Sequence, residues 1–312
     1  MSKPTQIQTQ RKKSIKTRLK NSWQIYVLVF PAMLYYFLFD YMPMYGVQIA
    51  FKDFKAVQGI WGSAWVGFKH FKNFFNAYYF ERLLFNTIIL NIYSLLWSFP
   101  IPIIIAIMLN YVRREKLKRF IQTTIYVPHF VSTVVLAGML YIFLSPSTGI
   151  LNIAMQAIGM KPVDFLSEPS AFRTIFISSG IWQGAGYGSI LYIATLTSID
   201  PCLYEAAEID GASIWQKIRF IDIPTLLPMV AMKFIMAWGG IMGSSTSKVL
   251  LLQTGGNISV SDIIGTYSYS VGLGSAQFSY SAAISLFTNL INFIMLISVN
   301  KISKKLAGLS MF

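Results

Sequence analysis

The chain has 312 residues, 54% of them hydrophobic and 12% charged, with 26 Lys and Arg against 12 Asp and Glu for a formal net charge of +14. That balance excludes a soluble domain and implies a bilayer. The basic residues stand in short runs beside apolar segments, where they face lipid head groups, so the charge does not imply nucleic acid as a partner.

Cys202 is the single cysteine, and His70 and His129 are far apart in the chain, so neither an internal disulfide nor a thiolate metal site is expected. Residues 1–22 form a basic tail, with Arg11, Lys12, Lys13, Lys16, Arg18 and Lys20 standing directly before the first apolar run. The tail is too polar for a signal peptide, and no small-residue cleavage pattern follows, so the first helix is expected to be retained. By the positive-inside rule the N-terminus is cytoplasmic.

A spanning helix needs about 20 mostly apolar residues. Six stretches meet this, near 23–43, 84–109, 121–144, 173–197, 224–247 and 279–300. The expected fold is therefore an all-α polytopic membrane protein with a transmembrane domain over 23–300, and with a second cytoplasmic tail at 301–312. Alternation puts the N-terminal tail, the 111–120 and 198–222 loops and the C-terminal tail inside, and these hold 17 of the 26 Lys and Arg. Pro31 and Pro43, Pro100 and Pro102, and Pro128 can kink the first three crossings. His129, beside Pro128, reads as a packed or interfacial histidine. Lys233 reads as a snorkelling lysine near the cytoplasmic surface.

The fourth crossing carries Trp182-Gln183-Gly184-Ala185-Gly186-Tyr187-Gly188. Two readings stand side by side: helix packing through Gly184 and Gly188, or a cavity wall in which Trp182 and Tyr187 stack on a sugar ring. The fifth repeats that character in Trp238-Gly239-Gly240-Ile241-Met242-Gly243-Ser244, and the sixth carries Asn289 and Asn292 on one face. Polar groups in such helices mark interhelical contacts or an aqueous path. No phosphate-binding glycine loop or catalytic constellation is visible, so the chain is expected to be no enzyme. Acidic residues are nearly absent from the helix interiors, which argues against proton coupling.

The 198–223 loop is the most structured polar segment. Asp200 can cap a short helix starting at Pro201, Gly211 can end it, and a second short helix follows, with Ile214, Ile218 and Ile221 on one face, until Pro224. Asp200, Glu205, Glu208, Asp210 and Asp222 outnumber Lys217 and Arg219, so anionic lipid would repel the loop. Docking to a protein is favoured.

Glu205-Ala206-Ala207, Gly211, Ile221, Ile223 and Pro224 fill the spacing of the EAA signature of ATP-binding-cassette (ABC) importer permeases, with Ile223 where Leu is usual. The resemblance extends over most of the chain to MalF-like membrane subunits of carbohydrate importers, of the LplB/YteP type. It implies a type I ABC importer permease fold in a bacterial cytoplasmic membrane. The implied partners are a second homologous permease in a heterodimer, two ABC ATPase subunits that bind ATP and Mg, and an extracytoplasmic solute-binding protein delivering an oligosaccharide.

By the same resemblance Glu205, Ala206, Ala207, Gly211, Ile221 and Pro224 belong to the ATPase-coupling loop, with the face from Ile214 to Ile221 bracing it against the bundle. Gly184 and Tyr187 match positions on the sugar path. Trp182, Gln183, Trp238, Gly240 and Ser244 are further candidates for that path. Thr254-Gly255-Gly256-Asn257 resembles an outer-loop segment of the family with Asn in place of Pro. The signature identifies the motor and not the cargo, so another solute, or less readily an ion-coupled transporter, remains the alternative.

Overall fold

A computed structural model describes residues 22–243 and 246–308. The N-terminal basic tail, Ser244 and the last four residues lie outside the described residues. Helix α1 (Trp23–Phe51) is apolar on every side and buries no side chain before Ala50. Pro31 lies inside it, and the backbone loosens into a π turn at Phe37–Tyr41 before Pro43. Its C-terminal end, Tyr45–Phe51, packs chiefly against the last helix. A two-stranded antiparallel hairpin, β1 (Lys52–Asp53) with β2 (Ala64–Trp65), follows, and then α2 (Lys69–Phe75). The hairpin is a small addition to the expected all-helical architecture.

Helix α3 (Phe80–Asn110) passes through Pro100 and Pro102, because Pro100 opens a new helical segment where a missing N–H costs little. The third expected crossing is not one straight helix. It divides into α4 (Glu115–Phe130) and α5 (Thr133–Phe143), bent by 96°. Pro128 tightens the end of α4 into a 3-10 turn, Val131 adopts an extended backbone, and Ser132 restarts the helix by accepting from the Val135 N–H at 3.2 Å. The amphipathic pattern of α4, basic at Lys116, Lys118 and Arg119, sets it apart from the apolar α5.

Next come α6 (Ile150–Ala157), α7 (Pro169–Gly188) and α8 (Ile190–Thr197), the last two meeting at fully buried Ser189. The loop after α8 holds α9 (Pro201–Ile209), and α10 (Ile214–Gly239) runs from that loop into the bundle. The fifth crossing was expected to begin at Pro224 and end at 247; instead, the helix is continuous from Ile214 and stops at Gly239. The π turn at Ile218–Asp222 widens the backbone just before Pro224, so its missing N–H does not break the helix. At the other end Asn292 accepts from the Met242 N–H at 2.9 Å, which supplies the turn with a partner from another helix. Helices α11 (Thr246–Leu252), α12 (Ile264–Tyr269) and α13 (Phe278–Ala307) complete the chain.

Among the described residues, α1, α3, α10 and α13 are long and apolar enough to cross a membrane, and the bent pair α4–α5 makes a fifth if taken as one span. Helix α7 has the length but carries Arg173 and a run of Ser, Gly and Gln.

Three apolar clusters hold the bundle. One joins Leu90 of α3, Ala137 of α5, Phe172 and Phe176 of α7 and Val249 of α11. A second joins Phe74, Leu83, Ile241, Ile264 and Ile284. The third joins Ala106 of α3, Tyr192 and Leu196 of α8 and Leu226 of α10, with Tyr204 and Ile221 of the α9–α10 segment packed against it.

Candidate functional site

The loop between α8 and α10 is built from local signals that all agree. Asp200 accepts from the Cys202 N–H at 3.0 Å and Pro201 occupies the first helical position, so α9 starts where an N-cap and a proline direct it. It ends at Gly211, whose φ of +73° is the left-handed conformation that favours glycine. The Ala212 N–H reaches the Ala207 carbonyl at 2.8 Å and the Gly211 N–H reaches that of Glu208 at 3.0 Å, the two bonds of a Schellman cap. Two residues later Ser213 and Gln216 form a reciprocal capping box that starts α10.

Two polar contacts fix this helix pair to the bundle. Buried Lys217 donates to exposed Glu208 at 2.6 Å, which ties α10 to α9 and holds the Glu208 carboxyl below its usual range. Asp222 is fully buried and accepts from two phenols, Tyr111 at the end of α3 and Tyr204 of α9. Asn110 in turn donates to the Tyr204 oxygen at 3.2 Å. Burial, and then the bond to Asp222, raises the pKa of both tyrosines above the usual phenol value, so they stay protonated donors.

Glu205, Ala206, Gly211 and Pro224 are exposed on this loop, while Ala207 is half-buried. Ile221 packs on the third cluster as expected of a bracing residue. The rest of that expected face divides: Ile218 is half-buried, whereas Ile214 is exposed and Trp215 beside it is 79% exposed. Ile214 sits in the first turn of α10, ahead of the π turn, which places it clear of the bundle. Leu203 and Ile209 are exposed as well, so the loop leaves several large apolar side chains uncovered alongside Glu205.

The residues expected on a path are not all on one wall. Successive residues of a helix are about 100° apart, so Gly180, Gly184 and Tyr187 share one face of α7 and Trp182 lies opposite. Trp182 lines an apolar cavity of about 350 Å3 with Leu136, Met139, Leu140 and Phe143 of α5. Gln183 donates to the Val131 carbonyl at 2.7 Å and pins α7 to the α4–α5 bend. Tyr187 is half exposed and stacks on His129, centroids 3.8 Å apart and planes within 4°, which satisfies the packed reading of that histidine.

The packing glycine is Gly186, where a Cβ would overlap the Ile125 carbonyl; Gly188 sits against Pro102, while a Cβ on Gly184 would meet nothing within 4 Å. Trp238 is packed against the second cluster with its indole N–H buried and unpartnered. Gly240 is exposed where α10 ends, and Ser244 lies outside the described residues.

The residues also leave two polar recesses that the segment-by-segment reading missed. One, about 240 Å3, has Asn91, Ser94 and Ser98 of α3 facing Ala237 and Ile241. Their three- and four-residue spacing in an apolar helix is the signal that marks them. The other, about 400 Å3, gathers Ser268, Ser281, Ser285, Thr288 and Asn289, of which only Asn289 stands out in the sequence.

An apolar bundle with a doubly capped, polar-anchored helix pair at one end has clear relatives. Residues 77–308 match the family described as binding-protein-dependent transport system inner membrane component. The chain belongs to this family. The permease is 39% identical to protein LplB of Bacillus subtilis over 287 residues, covering 92% of this chain and 90% of that one. It is 36% identical to the polygalacturonan/rhamnogalacturonan transport system permease protein YteP of the same organism, covering 95% and 92%. Its fold matches a bacterial alginate ABC transporter, solved in complex with an alginate pentasaccharide-bound periplasmic protein, with a TM-score of 0.87 at 35% identity over 96% of this chain and 100% of that one. The permease is thus a membrane-spanning transport subunit.

Proposed function

We propose that the permease is one transmembrane half of an ATP-driven importer that carries an oligosaccharide across a bacterial cytoplasmic membrane. It would cross six times with both termini inside: α1, α3, the α4–α5 pair, the α7–α8 pair, α10 and α13. The observation that carries this reading is the α9–α10 loop, whose exposed Glu205 and apolar outer side chains stand on a base locked by Lys217–Glu208 and by Asp222. A loop held this firmly can pass a push from outside the bilayer into α10 without deforming.

Two ATPase subunits, which bind ATP and Mg, would dock on that outer face, Glu205 being the anchor and Gly211 the turn. A second, homologous permease would cover α1, whose apolar side chains from Trp23 to Met44 have no cover from their own chain. An extracytoplasmic binding protein would deliver the glycan to the outer end. Inside the membrane the Gly184–Tyr187 face of α7 is the favoured wall of the path, because Gly184 leaves room and Tyr187 offers a half-exposed ring. ATP binding that favours one arrangement of the paired permeases would drive alternating access.

The test is uptake by proteoliposomes holding the whole transporter, with ATPase stimulation read across a panel of oligosaccharides, peptides and polyamines. Glycan-dependent stimulation is expected, together with its loss in E205A. Stimulation confined to peptides would overturn the cargo, and ATP-coupled uptake undiminished in E205A would overturn the coupling role.

A further inference from the structure

Lys248 is counted from the sequence as one more outer-loop cation, but it is 7% exposed. Its ammonium donates to the Phe176 carbonyl of α7 at 2.7 Å and lies 4.7 Å from the centroid of the Phe176 ring. No carboxylate pairs with it among the described residues, where the ion pairs are Arg82–Asp262 and Lys217–Glu208. A buried ammonium without a counter-charge is costly, and inside a membrane protein such groups mark ion or substrate sites.

Its position is specific. A Cβ on Gly180 would come within 3.2 Å of the Lys248 Nζ, so the ammonium occupies the space that a side chain at 180 would fill. Arg173, Phe176, Gly180, Gly184 and Tyr187 recur at three- and four-residue spacing along one face of α7. The outer part of that face is covered by α11 through Val249 and Leu252; the inner part is open at Gly184, while Tyr187, half exposed, has one ring face stacked on His129. Lys248 stands at the border, about 6 Å along the axis from Gly184.

A second cation flanks it on the outer side. Among the described residues Arg173 reaches only the amide oxygen of Asn86, at 3.4 Å, and its Nε is buried without a partner. Asn86 connects to Asp262 through the backbone carbonyl, while that carboxylate is already engaged by Arg82 and Thr266. The outer end of the α7 face thus carries positive charge that the chain does not neutralise.

We infer that Lys248 is a specificity-determining residue for an anionic glycan, and that the cargo is an oligosaccharide bearing carboxylates of the uronate type. The inference rests on the proposed carbohydrate path along α7 and adds the charge of what moves along it. A carboxylate on the sugar would accept from the remaining N–H donors of Lys248 while the neighbouring sugar ring lies over the Gly184–Tyr187 surface. Neutral glycans would leave the ammonium uncompensated, so the same residue discriminates against them.

The experiment is uptake of tetragalacturonate and of its neutral methyl ester by proteoliposomes holding the complete transporter, wild type against K248Q and K248R. Any preference of the binding protein is common to all three and cancels in the comparison. The ratio of kcat/KM for acid over ester is expected to fall about tenfold in K248Q, the scale of one charge-assisted hydrogen bond, and to be largely kept in K248R. An equal fall for both glycans would make Lys248 a packing residue and overturn the inference, as would wild-type uptake indifferent to esterification, which needs no variant to fold. Uptake of neutral oligosaccharides alone would overturn it while leaving the carbohydrate reading standing. Uptake of no glycan at all would overturn that earlier reading, and this one with it.

Discussion

Tyr111 donates a 2.8 Å hydrogen bond to Asp222, 111 residues further along the chain, and so joins the C-terminal end of α3 to the first turns of α10. Tyr204 of α9 donates to the other carboxylate oxygen. Three elements, α3, α9 and α10, therefore meet at one buried carboxylate.

Removing that carboxylate is expected to be worse than removing either phenol. In D222A two sheltered hydroxyls lose their acceptor, at about 1–3 kcal/mol each, whereas Y111F or Y204F leaves Asp222 one donor. Thermal unfolding of the purified complex checks the order. D222A should melt lowest, by several degrees, and a melting point for D222A equal to that of wild type would refute the assignment of Asp222 as the joint.

The Lys217–Glu208 pair is asymmetric in burial, and its variants should be asymmetric in effect. Glu208 is exposed, so K217M frees a carboxylate that water solvates at once. E208Q instead strands a buried ammonium, which is the costly half of a broken pair. Hydrogen exchange across 201–217 should therefore rise more in E208Q than in K217M. The pH dependence has a definite sign, because the Glu208 carboxyl is held below its ordinary value near 4.5 by the bond to Lys217. A depressed acid stabilises the pair fully above that value and loses the contribution as pH falls through the lower folded-state value. Protection factors in this loop, which divide out the intrinsic pH dependence of amide exchange, should fall in the wild type as the pH is lowered through that range, and should stay flat in K217M.

Much of the loop was legible because its determinants are local. Asp200, Pro201 and Gly211 act within a few residues of themselves, so the first cap and the turn could be read directly and the structure keeps them. What could not be read depended on distant chain. Nothing near Asp222 in sequence announces Tyr111, and the continuity of α10 through Pro224 depends on a π turn that has no simple pattern. The same holds within α7. Composition marked its aromatics and glycines, but the angular position of each decides its role, which separates Trp182 from Tyr187 and singles out Gly186.

That glycine gives a graded series on a single helix. A Cβ at 186 would overlap the Ile125 carbonyl, one at 188 would press on Pro102 at 3.3 Å, and one at 184 meets nothing within 4 Å. G186A must push α7 from α4, because a backbone carbonyl cannot rotate away, and overpacking of this kind costs about 1–3 kcal/mol. G188A should cost less and G184A almost nothing to assembly. Yield and melting temperature of the three complexes test the series; a G184A complex as unstable as G186A would place Gly184 in the packing and remove it from the path. Reduced glycan uptake in a normally assembled G184A would support its place on the wall.

Asn257 stands where the resembling outer-loop segment has proline, and the structure shows what the exchange provides. It is fully buried and donates to the Leu166 carbonyl at 2.7 Å and to the Leu252 carbonyl at 2.9 Å, while its amide oxygen accepts from the Thr254 N–H at 3.0 Å and the Ser261 hydroxyl at 2.7 Å. The side chain thus closes the turn after α11 and ties it to the loop before α7. Proline could satisfy none of these partners. N257A is expected to cost about 3 kcal/mol, since several buried groups lose their bond together, and N257P no less. The loss should appear as a lower melting temperature and as protease cleavage between 253 and 262. Because α11 carries Lys248, transport should fall as well. N257D keeps the two acceptor contacts but places a carboxylate oxygen against two carbonyls, so it should resemble N257A. If N257D instead melted with wild type, the two bonds donated by the amide would be dispensable and the tie to Leu166 would carry no stability.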